Sequence, residues 1–161
     1  MKKLNLAVIG ILLLSAVSAF AQNSFEDALK KAKSENKRVI VDVYTDWCGW
    51  CKKMEGEAYS NSDIKKIIDE NFVFVKLNAE GTGKIKYNGK EYTETDLASY
   101  FEATGYPTTI FLEPDGKIIE FKYDKQTMKN VPGYFKTDEF KKILDYFKNG
   151  KYKDTDMSTV V

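Results

Sequence analysis

The strongest constraint on the fold is one junction in the chain. Residues 39–44 read VIVDVY, and after Thr45 the sequence continues DWCGWCKKM to residue 54. A run that is apolar at almost every position must be covered on both faces. It points to a sheet held between layers of helix rather than a half-solvated antiparallel sheet. One acid, Asp42, interrupts it. Residues from Trp50 to about Ala58 have helical composition, so Cys48 and Cys51, the only cysteines, fall where a strand turns into a helix.

The flanking pattern extends this picture. Ser24 and Asp27 open a helix over Phe25 to Glu35, with Phe25, Ala28, Leu29 and Ala32 on one face. A second helix is expected over Ser62 to Glu70 and a second buried-type strand over Phe72 to Leu77 (FVFVKL), giving a parallel β-α-β unit. The stretch KIKYNGKEYT, Lys84 to Thr93, alternates around Asn88-Gly89 and reads as a small inserted β-hairpin on the surface. Thr93 then caps a helix to about Ala103. Thr108 to Leu112 and Lys117 to Tyr123 read as two antiparallel strands joined at Pro114-Asp115-Gly116. The last helix, Asp138 to Lys148, is capped by Thr137 and carries Phe140, Ile143, Leu144 and Phe147 on one face. Residues 149–161 are polar and expected to fray.

The first 21 residues are of a different kind. Lys2 and Lys3 precede an apolar run from Leu6 to Leu14, and small residues end in Ala19-Phe20-Ala21. This is the pattern of a secretory signal peptide cut after Ala21; the alternative, an uncleaved anchor, has a short apolar core for a spanning helix. Removing the two lysines leaves 23 basic against 24 acidic residues, a balance that favours neither nucleic acid nor an anionic membrane as partner. The expected compartment is periplasmic or extracellular, where disulfides persist.

Two cysteines at this spacing have three readings. A structural staple is a poor use of them: closing a four-residue loop removes only about 2 kcal/mol of unfolded-state entropy, against about 4.7 kcal/mol for a 100-residue loop. A zinc site lacks ligands, because there is no second cysteine pair and no histidine anywhere in the 161 residues. The same absence excludes Ser-His-Asp and Cys-His catalysis. A redox couple fits the local chemistry. Cys48 at a helix N-terminus faces unsatisfied backbone N–H groups that stabilise a thiolate, and Cys51 lies one turn further on.

Several motifs in order carry a resemblance over Phe25 to Phe147: VDVYTDWCGWCKKME, SDIKKIIDENFVFVKLN, GYPTTIFLEPDGK and VPGYF. The chain resembles the thioredoxin-like superfamily, and more narrowly exported single-domain proteins similar to the C-terminal domain of the membrane thiol:disulfide interchange protein. The resemblance implies an α/β thioredoxin fold over residues 22–148, a central mixed sheet flanked by helices. It also implies Cys48 as attacking thiol and Cys51 as resolving thiol. Asp42 matches the family's buried acid, and its apolar strand raises a carboxyl pKa independently; a strand-end charge reaching solvent is the alternative. Lys76 matches the lysine beside that acid, or is a snorkelling edge lysine. Pro107 matches the family's cis-proline, which places the Tyr106 backbone beside Cys48 for substrate pairing. Trp47 is expected to shield the pair and also to pack, with Trp50 on the exposed rim. Gly49 and Trp50 form a dipeptide without the histidine of strong oxidants.

The resemblance implies dithiol–disulfide exchange on disulfide-containing protein substrates by a monomer, with no metal or organic cofactor and a membrane thiol:disulfide electron donor. Without that histidine the reducing direction is expected. Two other function classes remain: a thioredoxin-fold binding or chaperone module with a non-essential disulfide, and a peroxide-reducing enzyme.

Overall fold

The computed structural model describes residues 24–161; the expected signal peptide over residues 1–21 lies outside them. Helix α1 spans Phe25–Glu35, with Ser24 accepting from the Asp27 N–H and Asn36 closing it in the left-handed conformation. Strand β1, Arg38–Tyr44, follows. Helix α2, Gly49–Met54, runs on into a π-helical turn over Glu55–Tyr59. Helix α3, Ser62–Asn71, is capped by the Asn61 side chain, which accepts from the Asp63 and Ile64 N–H groups. Strand β2, Phe72–Asn78, then lies parallel to β1, as the β-α-β pattern requires.

The next residues form β3, Lys84–Tyr87, and β4, Lys90–Thr93. Asn88 and Gly89 both have positive φ, 50° and 77°, the backbone of the two-residue turn that Asn-Gly favours. This hairpin is not merely a surface ornament. Ile85 and Tyr87 are buried in the core with Phe25 and Phe101, and the Tyr87 hydroxyl donates to the Gly116 carbonyl at 2.6 Å. Helix α4, Glu94–Tyr100, carries the expected Thr93 cap. It stops short of Ala103 because Glu102 takes a left-handed conformation with φ 58°.

Strand β5 is Thr108–Leu112, antiparallel to β1. Its expected partner over Lys117 to Tyr123 is not formed. The Pro-Asp-Gly turn is present, with the Gly116 N–H on the Glu113 carbonyl, but only Leu112 and Ile118 bridge before the chain leaves the sheet. Strand β6, Phe121–Tyr123, instead pairs with β7, Gln126–Met128. The free edge of β5 is taken by β8, Val131–Pro132, which completes a mixed sheet in the order β2-β1-β5-β8.

Helix α5 spans Thr137–Lys148. Its N-cap is Lys136, whose N–H donates to Glu139, while the Thr137 hydroxyl donates to the Glu57 carbonyl rather than capping. The segment after it does not fray. Tyr152 and Met157 are buried, and the Tyr146 hydroxyl donates to the Thr155 carbonyl. Asp156 accepts from the Asp124 and Lys125 N–H groups, so the last residues hold the β6–β7 turn. Polar composition hid these anchors.

The sheet separates two apolar layers. Val39, Val41 and Val43 of β1 face α1, α4 and the β3–β4 hairpin. Ile40 faces the other layer, with Met54, Tyr59, Ile64, Phe140 and Phe147. Strand alternation puts Asp42 on the same side as Ile40, which is where the site lies.

Candidate active site

Antiparallel pairing sets the C-terminal end of β1 beside the N-terminal end of β5. The first leads through Thr45, Asp46 and Trp47 to Cys48, and the second is preceded by Tyr106 and Pro107. Cys48 is the N-cap of α2: its N–H donates to the Thr45 carbonyl, and its Sγ accepts from the Cys51 N–H at 3.0 Å. The two cysteines form a disulfide with Cα atoms 5.3 Å apart, and both are buried. The first turn of α2 carries no acid, so the N–H groups at Cys48 meet no competing carboxylate there. Gly49 is exposed, and a side-chain carbon built on it meets nothing within 4 Å. The space beside the disulfide is therefore open, and no close contact demands glycine.

Two aromatic side chains flank the pair. Trp47 is 67% exposed, so its packing is confined to one side of the ring. Its indole N–H donates to both Glu80 oxygens at 2.9 and 3.0 Å, and its ring meets the half-buried Tyr106 edge-on at 6.3 Å. Trp50, 58% exposed, lies against Tyr134 at 5.3 Å. The Lys53 ammonium sits 5.2 and 5.1 Å from these two rings, and the Tyr134 hydroxyl donates to Glu57. Glu80, Glu57 and Tyr134 are not singled out by the sequence as site residues; only Tyr134 carries a signal, its place in VPGYF beside the other motifs. The Tyr106–Pro107 peptide is cis, and the Pro107 carbonyl accepts from the Gly133 N–H at 2.8 Å.

Asp42, on β1, is 4% exposed and lies in the middle of the sheet between β2 and β5. Burial pushes its carboxyl up to about 7, against the lowering effect of Lys76 and of the Tyr59 hydroxyl; Glu55 raises it further. Strand-end escape to solvent is thus not its situation. Lys76 stands directly across from it on β2, but its ammonium binds Glu55 at 3.2 Å and lies 4.6 Å from the Tyr44 ring centroid. Thr109 stands across from Asp42 on the other side, in β5. The Tyr59 hydroxyl faces both the Asp42 carboxyl and the Thr109 hydroxyl. Even so, Asp42 Oδ1, Tyr59 Oη and Thr109 Oγ1, like the buried Thr45 Oγ1, close no hydrogen bond of standard geometry among the described residues.

A mixed four-stranded sheet between helices, with a C-x-x-C disulfide heading the helix after its central strand, defines the thioredoxin-like class. Residues 25–148 match the family model described as a thioredoxin-like domain, and the chain belongs to that family. The thiol:disulfide interchange protein DsbD of Colwellia psychrerythraea is 28% identical over 127 residues, covering 77% of this chain and 18% of that protein. A candidate disulphide-isomerase from Bacteroides thetaiotaomicron superposes with a TM-score of 0.59 at 27% identity, covering 85% of this chain and 95% of that one. The oxidised C-terminal domain of DsbD from Neisseria meningitidis shares the fold, with a TM-score of 0.50 at 20% identity over 80% of this chain and 98% of that one. The chain spans less than one fifth of the length of the curated relatives it matches. Among the described residues, no helix is long and apolar enough to cross a membrane.

Proposed function

We propose that the protein is an exported thiol-disulfide oxidoreductase that reduces disulfides in protein substrates. The observation that carries this reading is the Cys48–Cys51 disulfide at the head of α2, the helix that follows the strand holding the buried Asp42 carboxyl. In the reduced protein the Cys48 thiolate attacks one sulfur of a substrate disulfide. A mixed disulfide forms and the other substrate sulfur leaves as a thiolate. Asp42 takes the proton of Cys51, whose thiolate attacks Cys48 Sγ. The substrate departs with two electrons gained, and the Cys48–Cys51 disulfide is left behind. A dithiol donor must then return two electrons; the likeness to DsbD supports a membrane thiol:disulfide donor in that role.

The supporting parts have corresponding roles. Tyr106 and Pro107 offer backbone to an extended substrate segment, and Trp47 and Trp50 supply apolar surface on either side of the disulfide. Lys76, held by Glu55, tempers the cost of ionising Asp42. Residues 1–21 act as the export signal and residues 22–148 carry the activity. Export puts the pair where substrate disulfides persist.

Reduction of insulin, with dithiothreitol as the source of electrons, tests the assignment. Turnover should disappear in Cys48→Ser and survive in a Tyr134 variant. Unchanged reduction by Cys48→Ser would leave the binding-module reading instead.

A further inference from the structure

Buried oxygens of Asp42, Tyr59 and Thr109, like that of Thr45, are an unusual feature of the core. Each residue is buried, and among the described residues Asp42 Oδ1, Tyr59 Oη and Thr109 Oγ1 each lack a hydrogen-bond partner of standard geometry. Buried polar atoms are nearly always satisfied, and leaving one unmade costs its full desolvation. Three orphans on side chains brought to one place by β1, β5 and the π-helical turn therefore call for a shared explanation.

Their chemistry supplies one. Tyr59 and Thr109 each carry a hydroxyl that rotates freely and can donate, and an ionised carboxylate can only accept. Asp42 Oδ1 has no other donor: Lys76 stands across the strand pair but is held by Glu55. The remaining groups that act on Asp42 are few. They are Glu55 and Tyr59 from the π-helical turn, Lys76 from β2, and Tyr44 two residues along β1. Thr109 faces it from β5, and Phe140 of α5 packs its ring on Tyr59 at 5.1 Å without adding charge.

We propose that Tyr59 and Thr109 are positioning residues whose hydroxyls turn onto the Asp42 carboxylate when it ionises, and turn away when it is protonated. Asp42 Oδ1, which closes no hydrogen bond among the described residues, thereby gains two donors. The consequence for exchange rests on Asp42 being the proton relay to Cys51.

The test is the titration of Asp42 followed by carboxyl carbon NMR on the oxidised protein, where the cysteines cannot titrate. Tyr59→Phe and Thr109→Val each remove a donor to the charged form. Each should raise the Asp42 midpoint by about one pH unit, whereas Thr109→Ser, which keeps the hydroxyl, should restore the wild-type value. An unchanged midpoint in both Tyr59→Phe and Thr109→Val overturns the proposal. The pH profile of insulin reduction separates it from the relay reading. If the midpoint moves and the profile moves with it, both stand. A moved midpoint with a stationary profile supports the two donors and removes the relay.

Discussion

Asp42 and Lys76 lie directly opposite each other across the parallel β1–β2 pair, yet the Lys76 ammonium binds Glu55 at 3.2 Å instead of closing on Asp42. The sheet thus carries a buried acid whose obvious counter-ion is engaged elsewhere. Burial then outweighs attraction, and the carboxyl rises to about 7.

Stability should depend on pH through this group. In the unfolded chain the Asp42 carboxyl has its ordinary value of 3.8, and in the folded protein burial raises it to about 7. The folded state holds the proton more tightly, so the contribution is most favourable below pH 4. It is lost as pH rises to about 7 and is flat beyond. Three pH units amount to about 4 kcal/mol. Asp42→Asn should accordingly be more stable than wild type at pH 8, by up to that amount, and equal to it near pH 3.5. Urea unfolding at the two pH values measures the difference.

The β3–β4 hairpin should be part of the cooperative core. Tyr87→Phe strands the Gly116 carbonyl and should cost about 1–2 kcal/mol. Tyr87→Ala, which also empties the space among Phe25, Tyr92, Tyr100 and Phe101, should cost about 3–5 kcal/mol. Chemical denaturation with unchanged m-value would show both losses as loss of native packing.

The C-terminal segment should behave likewise. Met157 is 4% exposed, and Met157→Ala should cost about 2 kcal/mol or more. Deleting residues 150–161 should also release the Asp124 and Lys125 amides from Asp156. Hydrogen exchange at those two amides should accelerate to the rate of an open turn.

Trp47 should matter to substrates and not to the fold. Its ring is exposed and its indole N–H is on Glu80, so Trp47→Ala should change stability by less than about 0.5 kcal/mol. Loss of one aromatic anchor should slow insulin reduction by about tenfold. Reduction of a small disulfide such as oxidised glutathione should slow far less.

The elements that periodicity reveals were legible in the chain. VIVDVY, FVFVKL and the apolar faces of α1 and α5 bury what their patterns indicate, and Asn88-Gly89 makes its turn. What was missed depends on contacts distant in sequence. Val131-Pro132 is too short to show a period, so the pattern points to Lys117 to Tyr123 for the strand that flanks β5. Tyr152, Met157 and Asp156 sit among polar neighbours, and only the fold reveals that they are anchors. Within the site, the cysteines and Asp42 stood out through spacing and apolar context. Tyr59, Thr109 and Glu80 reach it only through the sheet register and the π-helical turn, which leave no local signal.

The most direct test of the reductase account is the reduction potential of the Cys48–Cys51 pair. Equilibration with defined ratios of reduced and oxidised glutathione, read through the fluorescence of Trp47 and Trp50, the two tryptophans of the chain, gives it directly. Potentials in this fold run from about −120 to −270 mV. A dipeptide without histidine offers the Cys48 thiolate less stabilisation than a strong oxidant needs. The account predicts a two-electron transition below about −200 mV. A midpoint near about −120 mV would contradict it.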